Sequence, residues 1–176
     1  MNLKPFGQAR AIGIDIGTSG VRAFAVDSEG RPVAASESAF KAAGDTRTPA
    51  AWWTGVENCL NSLSEKCALG DIAGIAVDGT SGTLVALDVG NAPLGAASLY
   101  NDICDDPAVI AAIEAAAPAT NPALGATTAL GRAIQLSRRS GVHRIVHQAD
   151  WIEGVCVLTD KGLTNLVISC HSISGS

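Results

Sequence analysis

The sequence is short of charge. Asp, Glu, Lys and Arg make up 16% of its 176 residues, against 47% hydrophobic residues. That balance excludes a disordered, self-repelling chain and predicts a folded globular domain with a real core. A basic footprint is missing too. The formal net charge is −5, Lys and Arg are scattered, and the adjacent pair Arg138 and Arg139 is too small to make a patch, so nucleic acid is not an expected partner. No apolar run approaches the length of a bilayer span. The stretch from Met1 to Arg10 lacks the apolar core and small-residue cleavage site of a secretory signal. Neither a membrane nor export is expected, and the expected location is cytoplasmic. The five cysteines, Cys59, Cys67, Cys104, Cys156 and Cys170, are odd in number, and no two have the C-x-x-C spacing of zinc or redox sites. They read as reduced thiols of a cytosolic protein, with Cys59 and Cys67 on the apolar side of one helix. Internal repeats and an interdomain linker are also lacking.

What is present is a clear succession of short elements. From Arg10 to Gly17 the chain alternates, with Ile12, Ile14 and Ile16 on one side and Gly13 and Asp15 on the other, the period of a half-buried strand. Gly17 to Gly20 reads as a turn, Val21 to Asp27 as a second strand, Ser28 to Gly30 as a turn and Pro32 to Ser38 as a third strand. Strands this close, joined by Gly-containing turns, predict an antiparallel meander. Thr48 and Pro49 make a helix start, a capping hydroxyl followed by Pro. Trp53, Val56, Leu60, Leu63 and Cys67 then recur at steps of three and four, a buried helical face that Gly70 ends. The apolar run Ile72 to Val77 predicts a buried strand parallel to the first. Leu84 to Asp88 is an expected strand with a hairpin signal at Gly90-Asn91. Pro107 to Ala117 and Leu124 to Ser140 are expected helices, Arg144 to His147 a short strand, and Ala149 to Glu153 the start of another helix. Three strands, a helix, a strand, a hairpin and further helices predict an α/β fold with a mixed sheet.

Two polar turns follow apolar strands. The first is Asp15-Ile-Gly-Thr-Ser-Gly20 with Arg22 just beyond. Gly17 and Gly20 let the backbone approach an anion, Thr18 and Ser19 add hydroxyl donors, Arg22 can fork onto phosphate oxygens, and Asp15 can hold Mg²⁺ directly or through water. A plain hairpin whose Asp and Thr satisfy turn amides fits the same residues. A Walker A loop does not, because no Gly-Lys-Ser/Thr follows. The second turn is Asp78-Gly79-Thr80-Ser81-Gly82, at a strand end of the kind where ligands gather in open α/β sheets. Its side chains can hydrogen-bond a hydroxyl-rich substrate, or can close an Asx-type turn with no ligand. Tyr100-Asn101-Asp102 is a third polar cluster. His147, Asp150 and Trp151 lie close together, and for them a capped helix with a packed Trp is favoured over a metal or general base.

Taken in order, these runs resemble the FGGY carbohydrate kinases. Ile14-Asp-Ile-Gly-Thr-Ser-Gly-Val-Arg22 is similar to their N-terminal phosphate motif. The pair Trp52-Trp53 opening a helix, Ile75-Ala-Val-Asp-Gly-Thr-Ser81, Leu99-Tyr-Asn-Asp102 and Gln148-Ala-Asp-Trp151 follow in the family's order and at about its spacing. The resemblance covers Ala11 to Gly154 and implies the ribonuclease-H-like fold of actin- and hexokinase-type ATPases. It implies a phosphotransferase that moves a phosphoryl group from ATP, with Mg²⁺, to an alcohol group of a small sugar. Asp15, Gly17, Thr18, Ser19 and Arg22 would face the ATP phosphates, with Asp15 at the metal. Asp78, Gly79, Thr80, Ser81, Asn101 and Asp102 would lie near the sugar. The run Asp78 to Ser81 stands where xylulokinases carry Gln-Met-His, and is closer to the Asp-x-Thr of ribulokinases. A ketopentose is therefore expected, ribulose first and xylulose second.

The resemblance also implies a longer enzyme. Its general base and a second domain lie beyond the matched region, so no catalytic base is expected in this chain, and by itself it is expected to be inactive. Residues 1–154 are expected to form an incomplete N-terminal kinase domain. Residues 155–176 are expected to be a divergent tail from a truncated or frame-shifted reading frame, the alternative being a divergent strand at Leu163 to Cys170. A non-catalytic sugar- or nucleotide-binding fragment is the second functional reading. Pairing of two copies into a homodimer through an open sheet edge is the remaining partner expectation.

Overall fold

The computed structural model describes residues 8–121, 124–158 and 167–170. The described residues form two compact units, one of residues 8–46, 50–79, 149–158 and 167–170, the other of residues 47–49, 80–121 and 124–148.

The first unit is built on a five-stranded sheet. Strand β1, Ala11–Ile16, pairs antiparallel with β2, Gly20–Val26, which pairs antiparallel with β3, Pro32–Ala39. This is the expected meander. The chain then crosses through helix α1, Pro49–Lys66, to β4, Gly74–Gly79, which lies parallel to β1. Strand β7, Val167–Cys170, pairs in parallel with β4, giving the order β3-β2-β1-β4-β7. It falls within the segment expected to be a divergent tail, and the start of the alternative strand there lies outside the described residues. The sheet is mixed, as expected.

The alternation of β1 sets one face. Ile12, Ile14 and Ile16 are buried together with Val21, Ala23, Ala25, Ile75 and Val77. Helix α1 packs on this face through Gly55, whose missing Cβ leaves room for Val21, and through the Cys59 carbonyl, which accepts from Ser36 Oγ at 2.9 Å. The buried stripe of α1 is Trp52, Val56, Cys59, Leu63 and Cys67. The expected Trp53 and Leu60 are only half-buried. The helix is rolled so that Trp52 enters the core, where its Nε1 donates to the Thr46 carbonyl and its ring meets Trp151 edge-on, 6.2 Å between centroids at 72°. Trp151 lies on helix α4, Gln148–Leu158, the last helix in chain order.

The second unit carries β5, Leu84–Leu87, paired antiparallel with β6, Arg144–His147, and helices α2, Pro107–Ala116, and α3, Ala129–Ser137. Asp106 caps α2 by accepting from the amides of Ala108 and Val109. Helix α3 starts five residues later than the expected Leu124, because Gly125 takes φ +105° and Thr128 caps the amide of Gly131. One small core gathers Leu84, Ala86 and Leu136, and another Cys104, Val109 and Ile113. No helix among the described residues is long and apolar enough to cross a membrane.

Candidate functional site

In the first unit the expected phosphate residues sit where β1, β2 and β4 end together. The expected strand Ile72 to Val77 is shifted: β4 begins at Gly74 and runs on to Gly79, so Asp78 and Gly79 belong to the strand rather than to the turn. The cause is the pairing with β1, which continues through Asp15↔Asp78 and Ile16↔Gly79. Residues directly opposite on neighbouring strands share a face. Asp15 and Asp78 therefore stand side by side on the face opposite the isoleucines. Arg22 is opposite Asp15 in the other direction, and its Nη1 donates to Asp15 Oδ2 at 3.2 Å. The two side chains are 52% and 43% exposed, so the pair is open to a ligand. Asp78 Oδ1 accepts from the amide of Gly79 at 2.8 Å. A shallow depression of about 260 Å³ on this face is lined by Gly13, Asp15, Phe24, Ala76 and Asp78 among others.

The turn beyond β1 is a tight hairpin, closed by Gly17 N–H donating to the Gly20 carbonyl at 3.0 Å, with Thr18 and Ser19 exposed at its tip. Gly20 is held against β3: a Cβ there would come within 2.5 Å of the Ser38 carbonyl oxygen. Two carboxylates beside a guanidinium put hard oxygen donors next to a fork of N–H donors whose chemistry suits an anion. No group of three or more metal-binding side chains occurs among the described residues. An oxygen-only pair of carboxylates nevertheless fits Mg²⁺, which keeps most of its waters and takes one or two protein carboxylates with substrate phosphates.

The second unit holds Thr80, Ser81, Asn101 and Asp102. The amide of Thr80 donates to Gln148 Oε1 at 2.8 Å, the amide of Thr83 donates to the Thr80 carbonyl, and Gly82 takes φ +71°. Ser81 and Asn101 are exposed. Asp102 is engaged on both oxygens. Arg47 donates to it from Nη1 and Nη2 at 2.6 and 2.7 Å, and the amide of Leu99 donates at 2.9 Å. The Arg47 hydrogen bonds, outweighing burial and aided by the Leu99 amide and the charges of Arg47 and Arg132, hold its carboxyl down to about 2. Beside it opens a cavity of about 420 Å³, lined in part by Arg47, Ser98, Asp102, Arg132 and Gln135.

Two polar residues here escaped the sequence reading, Arg47 and Arg132, and Gln148 was read only as part of the motif Gln148-Ala-Asp-Trp151, with no role of its own. Arg132 and Gln148 are 3% and 2% exposed. Arg132 had a signal, since it stands one helical turn before the buried Leu136 and so on the apolar side of α3. Arg47 had none, because its partner is far away in sequence. His147 ends β6 and Gln148 begins α4, and Trp151 packs on Trp52, as the packed-Trp reading expects. Burial pushes the thiols of Cys59 and Cys67 up, and burial with the charge of Glu153 pushes Cys156 up to about 11, so these sulfurs are poor nucleophiles.

Residues 10–111 match the model of the FGGY family of carbohydrate kinases, N-terminal domain. The chain is 28% identical over 96 residues to the xylulose kinase of Escherichia coli (strain K12), covering 52% of this chain and 20% of that protein. Among solved structures, a xylulose kinase from Bifidobacterium adolescentis superposes with a TM-score of 0.66 at 20% identity, over 83% of this chain and 33% of that one. A glycerol kinase from Plasmodium falciparum, solved with ADP, does so with a TM-score of 0.64 at 15% identity, over 85% and 34%. The structural likeness identifies the actin- and hexokinase-type ATPase fold. The chain spans about a fifth of the curated relative and about a third of each solved one.

Proposed function

The chain belongs to the FGGY family of carbohydrate kinases, and from that membership we propose that it supplies the sugar-side and phosphate-side elements of an ATP-dependent kinase acting on a ketopentose, ribulose ahead of xylulose. The observation that carries the reading is the side-by-side register of Asp15 and Asp78 with Arg22 at one sheet end. Phosphoryl transfer asks the protein mainly to position the reactants and neutralise charge. Asp15, with Asp78 beside it, would hold Mg²⁺, which when bound neutralises charge on the phosphates. Arg22 and the hydroxyls of Thr18 and Ser19 meet the phosphate oxygens, and the hairpin fixed by Gly17 and Gly20 presents them. Ser81, Thr80 and Asn101 offer hydrogen bonds to sugar hydroxyls. Asp102 lies beside them, and its bonds from Arg47 and the Leu99 amide also shape the segment that carries Asn101. The preference for ribulose rests on the run Asp78 to Ser81, since hydrogen-bonding groups that a wrong sugar leaves unpaired penalise it.

No residue of the matched region is assigned as the general base, so the 176-residue chain is proposed to bind without turnover. The test is calorimetric titration of the purified chain with Mg²⁺-ATP, ribulose and xylulose, beside a coupled assay for ADP release. Asp15→Ala is expected to lose Mg²⁺-ATP binding with an unchanged melting temperature. Undiminished Mg²⁺-ATP binding by Asp15→Ala removes the phosphate assignment, and equal affinity for both sugars removes the ribulose preference. Sugar-dependent turnover at an ordinary kinase rate, roughly 1–100 per second, shows that a base is present in this chain.

A further inference from the structure

Arg132 is a buried cation, 3% exposed, and such a charge is costly unless its geometry is used. Its hydrogen bonds go to neutral oxygens. Nε donates to the Thr127 carbonyl at 3.3 Å, Nη1 to the Ser98 carbonyl at 3.4 Å and Ser98 Oγ at 3.0 Å, and Nη2 to the Gly82 carbonyl at 2.8 Å. The two ends of one guanidinium thus hold two separate segments: the polar turn that ends at Gly82, and the run that begins at Ser98 and leads to Asn101.

We propose that Arg132 is a positioning residue, whose planar fork fixes the spacing between the turn Thr80–Gly82 and the segment Ser98–Asp102 and thereby the spacing of the sugar-facing groups each one carries. The proposal rests on the sugar reading given above. Each segment is pinned again at its other end. Thr80 is held by Gln148 Oε1, and Asp102 by Arg47. Between the pins, Ser81, Tyr100 and Asn101 are left exposed. Gly131 lets α3 approach this region, since a Cβ there would meet Cys104 Cβ at 3.3 Å. Stability alone does not account for the residue, because a buried ion replaced by a well-packed apolar side chain of similar volume is often neutral or stabilising. A lysine keeps the charge but cannot bond both carbonyls in one rigid plane.

The experiment compares the full chain with Arg132→Met and Arg132→Lys by melting temperature, site-resolved amide hydrogen exchange and ribulose titration. Both variants are expected to speed exchange at Thr83, Leu84, Leu99 and Asp102 by about tenfold or more, with Ile145 and Val146 of β6 unchanged, because opening is local. Ribulose affinity is expected to fall by about tenfold in both while Mg²⁺-ATP affinity holds. Wild-type exchange at the four amides in Arg132→Lys overturns the proposal, since charge then suffices. Equal quickening in β6 overturns it as well, by making the role one of general stability. If the wild-type chain takes up no ribulose, the sugar reading fails, and the exchange results still decide whether the fork positions the two segments.

Discussion

Replacing Asp102 by Asn tests the ion pair that anchors the Asn101 segment. The carboxyl is held at about 2, below its ordinary 3.8, chiefly by the hydrogen bonds from Arg47. A carboxyl whose folded value is depressed contributes stability that is fully present above its unfolded value and is lost as pH falls through the folded one. The window therefore runs from about pH 4 down to about pH 2. The full gap is worth at most about 2.5 kcal/mol, and the Arg47 side chain is 40% exposed, so solvent screening reduces it to about 1–2 kcal/mol. Urea unfolding of the wild type and Asp102→Asn, repeated from neutral pH into acid, measures it. The wild type is expected to be more stable by that amount near neutrality, and the two curves should converge toward pH 2. A difference that does not change with pH would mean that Asp102 contributes shape rather than charge, and would refute the ion-pair reasoning.

Two further substitutions probe the packing around the hairpin of β1 and β2. Gly20→Ala places a methyl group within 2.5 Å of the Ser38 carbonyl oxygen and 2.8 Å of Ala39 Cα. Backbone cannot move aside cheaply, so a loss of about 1–3 kcal/mol is expected, read as a lower urea midpoint at constant slope. Gly55→Ala gains about 1 kcal/mol of helix propensity but drives a methyl group to 2.7 Å from Val21 Cγ2. A net loss of about 1 kcal/mol is expected, and a double-mutant cycle with Val21→Ala should return a favourable coupling of at least about 0.5 kcal/mol. Simple additivity in that cycle would place the strain elsewhere.

The sheet was legible because its signals are local. Alternation at Ile12, Ile14 and Ile16 and the Gly-containing turns specify the meander, and those positions are buried as expected. Boundaries were less legible where long-range contacts set them. Asp78 joins β4 because β1 continues beside it, and α1 rolls toward Trp52 because Trp151, from a distant helix, meets it there. The candidate site divides the same way. Asp15 and Arg22 stand out within one motif. Arg47 does not, because its partner Asp102 is 55 residues away and the sequence shows it only as an ordinary charge, whereas Arg132 is marked only by its place one turn before Leu136 on the apolar side of α3.

The acid pair depends on the core in a way that neither shows alone. Asp15 and Asp78 are brought together by a parallel register between strands that β2, β3 and α1 separate in the chain. A slip of one residue along β4 would turn Asp78 to the opposite face and bring Ile75 and Val77 out of the core. Those two side chains are 3% and 1% exposed, so the slip costs several kcal/mol at about 1.5–3 kcal/mol for each large apolar side chain withdrawn from the core. No tight turn fixes this register, since β2, β3 and α1 all lie between the two strands in the chain. Burial of Ile75 and Val77 against α1's face of the sheet is what specifies it. The hydrophobic face therefore acts on the polar one: apolar residues that touch no ligand determine that two carboxylates and an arginine share one sheet end.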